Sequence, residues 1–282
     1  MEALLILSLQ ALLRTALNPA FWLMTGLVYL RYRQETGRED ARLLTLRSAG
    51  EGMSVGGIIM LMTAGFGFFA EPNPALLLIG PAAWLLSLAD RRFFCFSYGA
   101  ALVISLCRLL GRPIDGAGIA VLAGLLHFGE GALVWGSGKR GGSLRIVPGG
   151  GRLISQRALF RLWPVPLGLL IAAGEGGTAE MTMPAWWPLL GGGREIYGLL
   201  PLAATLGYEA VILRAGEERR QTRRDGARIL LYGAALMAAG CLCARWSWGE
   251  TPVLLWMLLG HEGLFRLAER VREEPDRAAE SP

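Results

Sequence analysis

Long blocks of apolar residues are the feature that most constrains how this chain can fold. Nine such blocks follow one another, at residues 16–30, 53–70, 75–89, 93–110, 117–136, 158–174, 196–213, 229–244 and 252–267. Crossing the hydrocarbon core of a bilayer takes about 20 helical residues. The blocks lack the strict alternation of apolar and polar residues that is typical of a transmembrane barrel strand. The sequence therefore predicts an all-α fold, a polytopic transmembrane helical bundle of about eight or nine spans.

The composition agrees with a chain embedded in a membrane. Hydrophobic residues make up 53% of the 282 residues and charged residues only 18%, and the mean hydropathy is +0.41. A soluble domain of this size has too little interior to bury so much apolar surface. The number of spans stays open because the third block is short. In addition, the sixth block contains Trp163-Pro164-Val165-Pro166, which would tilt or kink a helix.

The distribution of basic residues predicts the orientation in the membrane. Lys and Arg concentrate in the cytoplasmic loops of membrane proteins. Most of the 28 Lys and Arg residues fall in alternate loops, around residues 31–47, 91–92, 139–161, 214–228 and 266–277. These loops and the C-terminus are therefore predicted to face the cytoplasm of a bacterial cell, with the protein in its plasma membrane. The net charge of +5 then reflects topology, and we expect the lipid bilayer and no nucleic acid as a partner.

The chain is predicted to form one membrane domain over residues 1–268, followed by a short polar cytoplasmic tail at 269–282. A small cytoplasmic β-hairpin is expected at about 138–156, because two short strand-like runs flank the turn Pro148-Gly149-Gly150-Gly151. A formed strand pair presents its side chains in a fixed pattern, which makes this hairpin a candidate surface for binding a partner protein. Its candidate residues are Arg145, Arg152 and Arg157.

Glutamates and histidines inside the apolar blocks form a second candidate site. A charged side chain at the centre of a transmembrane helix costs on the order of 3 kcal/mol unless it finds a partner. The residues of this intramembrane polar cluster are His127, Glu130, Glu209, His261 and Glu262. The favoured interpretation is structural, since Glu262 can pair with Arg266 one helical turn away. The alternatives are a polar cluster that locks helices together and a site for proton, cation or metal chemistry.

No catalytic apparatus and no metal site are expected from the sequence. A zinc protease motif would need a second histidine at the position where Phe265 follows His261-Glu262. The four cysteines, Cys95, Cys107, Cys241 and Cys243, all lie in apolar blocks, where cysteine acts as a small hydrophobic residue. The protein is therefore predicted not to be an enzyme and to need neither a metal ion nor another cofactor.

Several short motifs of the chain carry a resemblance to a known family. They are DRRFFCFSY at 90–98, Leu-His-x-x-Glu at 126–130 with Trp-x-Ser-Gly at 135–138, the hairpin, RLWPVP at 161–166, NPAFW at 18–22 and the Tyr- and Arg-rich segment 29–34. Together they resemble the membrane region of MinJ-like PDZ-containing proteins of Gram-positive bacteria, which are topological determinants of cell division. The resemblance covers nearly the whole chain and is strongest over residues 18–166.

The resemblance implies a non-catalytic integral membrane scaffold in division-site placement or cell polarity, which recruits cell-division or polarity proteins through its cytoplasmic loops. Members of this family continue into a cytoplasmic PDZ domain, whereas this sequence stops at residue 282. Peptide capture by strand addition to such a domain is therefore not expected here, unless a separate PDZ-containing chain supplies it. The alternative function is a small transporter or sensor that uses the intramembrane Glu/His cluster.

Overall fold

The computed structural model describes residues 2–68, 73–112, 114–149, 152–171, 186–190, 198–212, 216–246, 249 and 251–280. In chain order the helices are α1 (Glu2–Leu17), α2 (Pro19–Glu35), α3 (Arg38–Phe66), α4 (Ile79–Ser87), α5 (Phe96–Leu109), α6 (Gly116–Ser137), α7 (Glu218–Trp246) and α8 (Thr251–Glu280). Between α6 and α7 the strands are β1 (Ser143–Gly149), β2 (Arg152–Ile171) and β3 (Gly198–Ile212). Two short 3-10 helices, Pro74–Leu78 and Arg91–Phe93, precede α4 and α5.

The prediction of an all-α fold is wrong, because the sixth and seventh apolar blocks form strands. β2 pairs antiparallel with both β1 and β3, so the sheet has the order β1-β2-β3. Pro164 and Pro166 explain the sixth block, since each lacks an N–H donor and clashes with the preceding turn of a helix. In the structure both lie within the β2–β3 ladder. The hairpin expected at about 138–156 corresponds to β1 and the start of β2, but β2 continues to Ile171.

The predicted number of eight or nine spans is also wrong. Among the described helices only α3, α6 and α7 are long and apolar enough to cross a membrane. α4 has nine residues and α5 has 14, which at 1.5 Å per residue gives roughly 14 and 21 Å, less than the hydrocarbon thickness. The chain also breaks between α1 and α2 at Asn18, whose side chain accepts a hydrogen bond from the backbone of Ala20. The third and fourth apolar blocks therefore form helices that are too short to span the bilayer, whereas α3, α7 and α8 are longer than their apolar blocks.

Large apolar side chains cover much of the outside of the described structure. Leu17, Leu23 and Leu109, for example, are 79%, 67% and 85% exposed. Extensive apolar surface of this kind is typical of a protein that contacts lipid. Together with the three long apolar helices, it indicates a membrane protein.

Glycines bring α6 and α7 into backbone contact. The contacting glycines, spaced seven residues apart within each helix, are Gly124 and Gly131 on α6 and Gly226, Gly233 and Gly240 on α7. Because seven residues are close to two helical turns, each set lies on one face of its helix. A Cβ atom at Gly226 would lie 2.6 Å from the backbone nitrogen of Trp135. The two helices thus pack at a separation that larger residues would not permit.

Glu51 connects α3, α6 and the sheet. Its carboxylate accepts hydrogen bonds from Ser137 Oγ at 2.7 Å, Arg140 Nη1 at 2.8 Å and Trp163 Nε1 at 2.8 Å. It also forms an ion pair of 2.5 Å with Arg161, whose side chain is completely buried. The Arg161 guanidinium lies over the Trp163 ring, 5.2 Å from its centroid. A buried guanidinium of this kind is tolerated only while a carboxylate neutralises it.

α6 is the central helix of the described structure. Most of its apolar stretch is buried, and it packs against α3, α5, α7, α8 and β3. His127 lies in the middle of α6, so its imidazole meets side chains from several neighbouring elements.

Candidate metal site

His127 is held in a single orientation inside the bundle. The residue is 3% exposed, and its Nδ1 lies 2.7 Å from the backbone oxygen of Ala123, one turn earlier on α6. Because a carbonyl oxygen only accepts hydrogen bonds, Nδ1 carries the proton and Nε2 presents its lone pair. Metal-binding histidines are oriented in this way, by donating the second ring N–H to a backbone carbonyl, a carboxylate or water.

Cys95 approaches the free nitrogen of His127 from the start of α5. Its Sγ lies 3.3 Å from His127 Nε2. The backbone of Cys95 is extended, with φ −143° and ψ 143°, and immediately precedes the first turn of α5. A hydrogen bond of 2.7 Å from the Cys95 N–H to the Phe93 carbonyl holds it there. The 3-10 helix and α5 together therefore position this sulfur.

His261 on α8 completes the group. Cys95 Sγ and one nitrogen of each histidine all lie within 4.8 Å of one another. Nδ1 of His261 is buried and has no hydrogen-bond partner among the described residues. In a tetrahedral zinc site, bonds of about 2.0–2.3 Å place the ligand atoms roughly 3.3–3.8 Å apart. Cys95 and His127 already have this spacing, and His261 needs to approach them by at most about 1 Å to bind the same ion.

Aromatic rings surround the three side chains. Tyr232 meets His127 edge to face with ring centroids 5.0 Å apart, and Tyr98 meets His261 in the same way at 4.9 Å. Both tyrosine hydroxyls already donate hydrogen bonds, Tyr232 to the Met257 carbonyl and Tyr98 to Glu262. These rings therefore form an apolar wall around the cysteine and the histidines.

Glu262 lies beside the three potential ligands and is already paired. Tyr98 donates to its Oε2 at 3.1 Å, while Arg92 Nη1 and Arg266 Nε each lie 3.2 Å from its Oε1. It belongs to none of the three long apolar helices. Burial raises the pKa of this carboxyl group, but the hydrogen bonds from Tyr98 and Arg266 and the charge of Arg92 outweigh burial, so the pKa is lowered. The side chain is thus an ionised carboxylate held by two arginines.

The structure brings together part of the intramembrane cluster that the sequence suggested. The ring centroids of His127 and His261 lie 5.5 Å apart, and Glu262 follows His261 directly in the sequence. Glu130 lies about one turn from His127, partly buried and without a hydrogen bond or ion pair to the described residues. Glu209 is exposed on β3 opposite Phe160, outside this group.

Cys95 is the member of the group that sequence reasoning did not identify. The expectation of no metal site rested on the spacing of cysteines and histidines along the chain. The actual group comes from the start of α5, from α6 and from α8, which share no motif. One signal was available: the only two histidines of the chain both lie in apolar blocks, where an imidazole needs a partner.

The hairpin arginines make ion pairs within the chain. Arg145 pairs with Glu35 of α2 at 3.3 Å, and Arg157 pairs with Glu218 of α7 at 3.5 Å. The Arg152 side chain lies outside the described part of the structure. Because the two described arginines are exposed, their pairs add little stability and remain free to exchange partners.

No protein-family model matches this chain, and no curated protein or solved structure matches it significantly. The resemblance to MinJ-like proteins therefore stays a prediction from the sequence motifs.

Proposed function

We propose that this membrane protein binds a transition-metal ion through Cys95, His127 and His261. The observation that carries the proposal is the convergence of a thiol and two imidazoles, with their ligand atoms within 4.8 Å of one another. Burying imidazole nitrogens among apolar side chains costs free energy unless those nitrogens bind something. A bound ion would take up the lone pair of His127 Nε2. It would also bind one ring nitrogen of His261, either Nδ1 or Nε2.

The ligand types restrict which ion is bound. Thiolate sulfur and imidazole nitrogen suit zinc, cobalt and copper, whereas calcium and magnesium prefer oxygen ligands. Three protein ligands leave the fourth position of a tetrahedral ion for water or a small ligand, unlike the four-ligand sites that only hold a fold together. We therefore favour a role in sensing or transferring the ion within the membrane, which gives the transporter-or-sensor alternative a defined set of ligands.

Titration of the purified protein with Zn²⁺ or Co²⁺ tests the site. We expect one ion per chain, with Co²⁺ giving the absorption of a thiolate-bound tetrahedral ion. Cys95→Ser and His127→Gln should each weaken binding by on the order of 100-fold, since even the outer hydrogen bonds of metal sites contribute 10–100-fold.

Cys107→Ser is the matched control, because Cys107 also lies in an apolar stretch of α5 but outside the group. It should bind the ion as the unaltered protein does. Failure of the unaltered protein to bind either ion, or equal losses in Cys95→Ser and Cys107→Ser, would contradict the proposal.

A scaffold in division-site placement or cell polarity is our second proposal, and β1 is the feature that supports it. β1 is the first strand of the sheet, and its Leu144 and Ile146 are 73% and 66% exposed. A strand edge with exposed apolar side chains suits pairing with another protein. We also propose a location in the bacterial plasma membrane with a cytoplasmic C-terminus, because basic residues cluster in the N-terminal parts of α3 and α7 and in the C-terminal part of α8.

A fluorescent protein that matures only in the cytoplasm, fused to the C-terminus, tests these points together. We expect fluorescence at septa or poles of dividing cells. Leu144→Ser combined with Ile146→Ser should spread the signal over the membrane at unchanged protein level, because both side chains are exposed. Uniform fluorescence of the unaltered protein would rule out the scaffold, and a membrane-inserted but dark fusion would contradict the orientation.

A further inference from the structure

Cys95, His127 and His261, here called the metal group, are connected to the protein surface through Glu262. Its carboxylate is 23% exposed at the side-chain level and directly follows His261 in α8. Between the carboxylate and the His261 ring lies Tyr98, which is 8% exposed, donates to Glu262 Oε2 and packs its ring on His261. Tyr98 therefore contacts both the partly exposed carboxylate and one of the ligands.

Arg92 forms an ion pair with that carboxylate. Its Nη1 lies 3.2 Å from Glu262 Oε1, and its Nε lies 3.3 Å from Asp90 Oδ2. Arg92 is therefore held by two carboxylates at once, and the Asp90 pair keeps it in place when the Glu262 pair is broken. It belongs to the 3-10 helix that ends just before Cys95. The cation that covers Glu262 and the sulfur of the metal group are thus carried by one short segment.

We infer that Glu262 is the entry residue of the metal site and that Arg92 controls its access. The incoming divalent cation is captured by the Glu262 carboxylate as Arg92 gives up that pair and keeps its pair with Asp90, and is then passed to His261, Cys95 and His127. A carboxylate oxygen is an accepted zinc ligand, and a doubly charged ion competes well with a partly exposed guanidinium for it. This inference rests on the proposed metal binding and adds a route and its control.

In this arrangement, replacing Glu262 or Arg92 should change the rate at which the metal ion is loaded but not the final affinity of the site for it. Glu262 is not among the three groups that lie within 4.8 Å of one another, so its loss should slow capture while the final ligands stay in place. Removing the positive charge of Arg92 should have the opposite effect, since it uncovers the carboxylate. Arg266, the other partner of Glu262, is 71% exposed and a weaker obstacle.

Stopped-flow loading of the purified full-length protein with Co²⁺, followed through the thiolate absorption, tests this inference. Glu262→Gln should slow loading by roughly tenfold or more, the lower end of what local charge contributes to association rates, with one ion still bound per chain at equilibrium. Glu262→Asp should restore most of the rate, and Arg92→Gln should load faster than the unaltered protein.

Glu35→Gln is the matched control, because Glu35 is likewise held by two arginines, Arg31 and Arg145, but lies on α2, which carries none of the three ligands. It should load at the unaltered rate. Equal loading rates in the unaltered protein, Glu262→Gln and Arg92→Gln would overturn the entry route while leaving metal binding intact. Lost affinity in Glu262→Gln at an unchanged loading rate would make Glu262 a ligand and would also overturn it. Absence of binding in the unaltered protein would defeat the proposed function itself.

Discussion

Gly233→Leu should prevent the protein from folding. A Cβ atom at this position would meet the backbone of Phe128 and Gly124 on α6, so a leucine forces two helix backbones apart. Overpacking usually costs about 1–3 kcal/mol, and here the neighbouring atoms are backbone and cannot move aside as a side chain does. Because α6 carries His127, metal binding should be lost with the fold. Size-exclusion chromatography and thermal unfolding in detergent measure the effect.

Gly136→Leu provides the control for this substitution. Gly136 also lies on α6, but nothing lies within 4 Å of a Cβ atom placed there. It should melt close to the unaltered protein. A monodisperse Gly233→Leu protein that unfolds at the unaltered temperature would show that α6 and α7 do not pack through their glycines.

Glu51→Gln should also destabilise the protein strongly. The substitution keeps the size of the side chain but removes the charge that neutralises the completely buried Arg161. Breaking a buried pair by removing one partner costs about 3–5 kcal/mol, because the remaining charge is left uncompensated. Thermal or denaturant unfolding in detergent should show this loss of unfolding free energy for Glu51→Gln. Glu35→Gln removes a more exposed ion pair and should change the unfolding free energy by about 0–1 kcal/mol.

Combining Glu51→Gln with Arg161→Met tests the cause of this effect. If the cost comes from the uncompensated guanidinium, the double variant should be more stable than Glu51→Gln alone. Equal stability of Glu51→Gln and Glu35→Gln would show that the buried ion pair contributes nothing to the fold.

The membrane character could be predicted from the sequence, whereas the division into helices and strands could not. A short apolar run fits a buried strand as well as a buried helix, because neither has a polar face to reveal its period. In residues 158–174 the two prolines, considered without the rest of the fold, indicate a kinked helix. In the structure Trp163 pairs with Leu206 and Arg161 with Tyr208, so the backbone N–H and C=O groups of β2 bond to a strand that is distant in sequence. No local pattern specifies that partner strand.

Neighbours along the chain are enough to place both histidines and Glu262 in apolar stretches of the sequence and Arg266 one helical turn from Glu262. The approach of Cys95 to within 3.3 Å of His127 and the position of His261 beside them depend on tertiary packing. That convergence depends on how closely the helices pack, and the glycine contacts of α6 with α7 help to set this distance. A metal site built from separate helices is therefore a property of packing, and spacing along the chain does not reveal it.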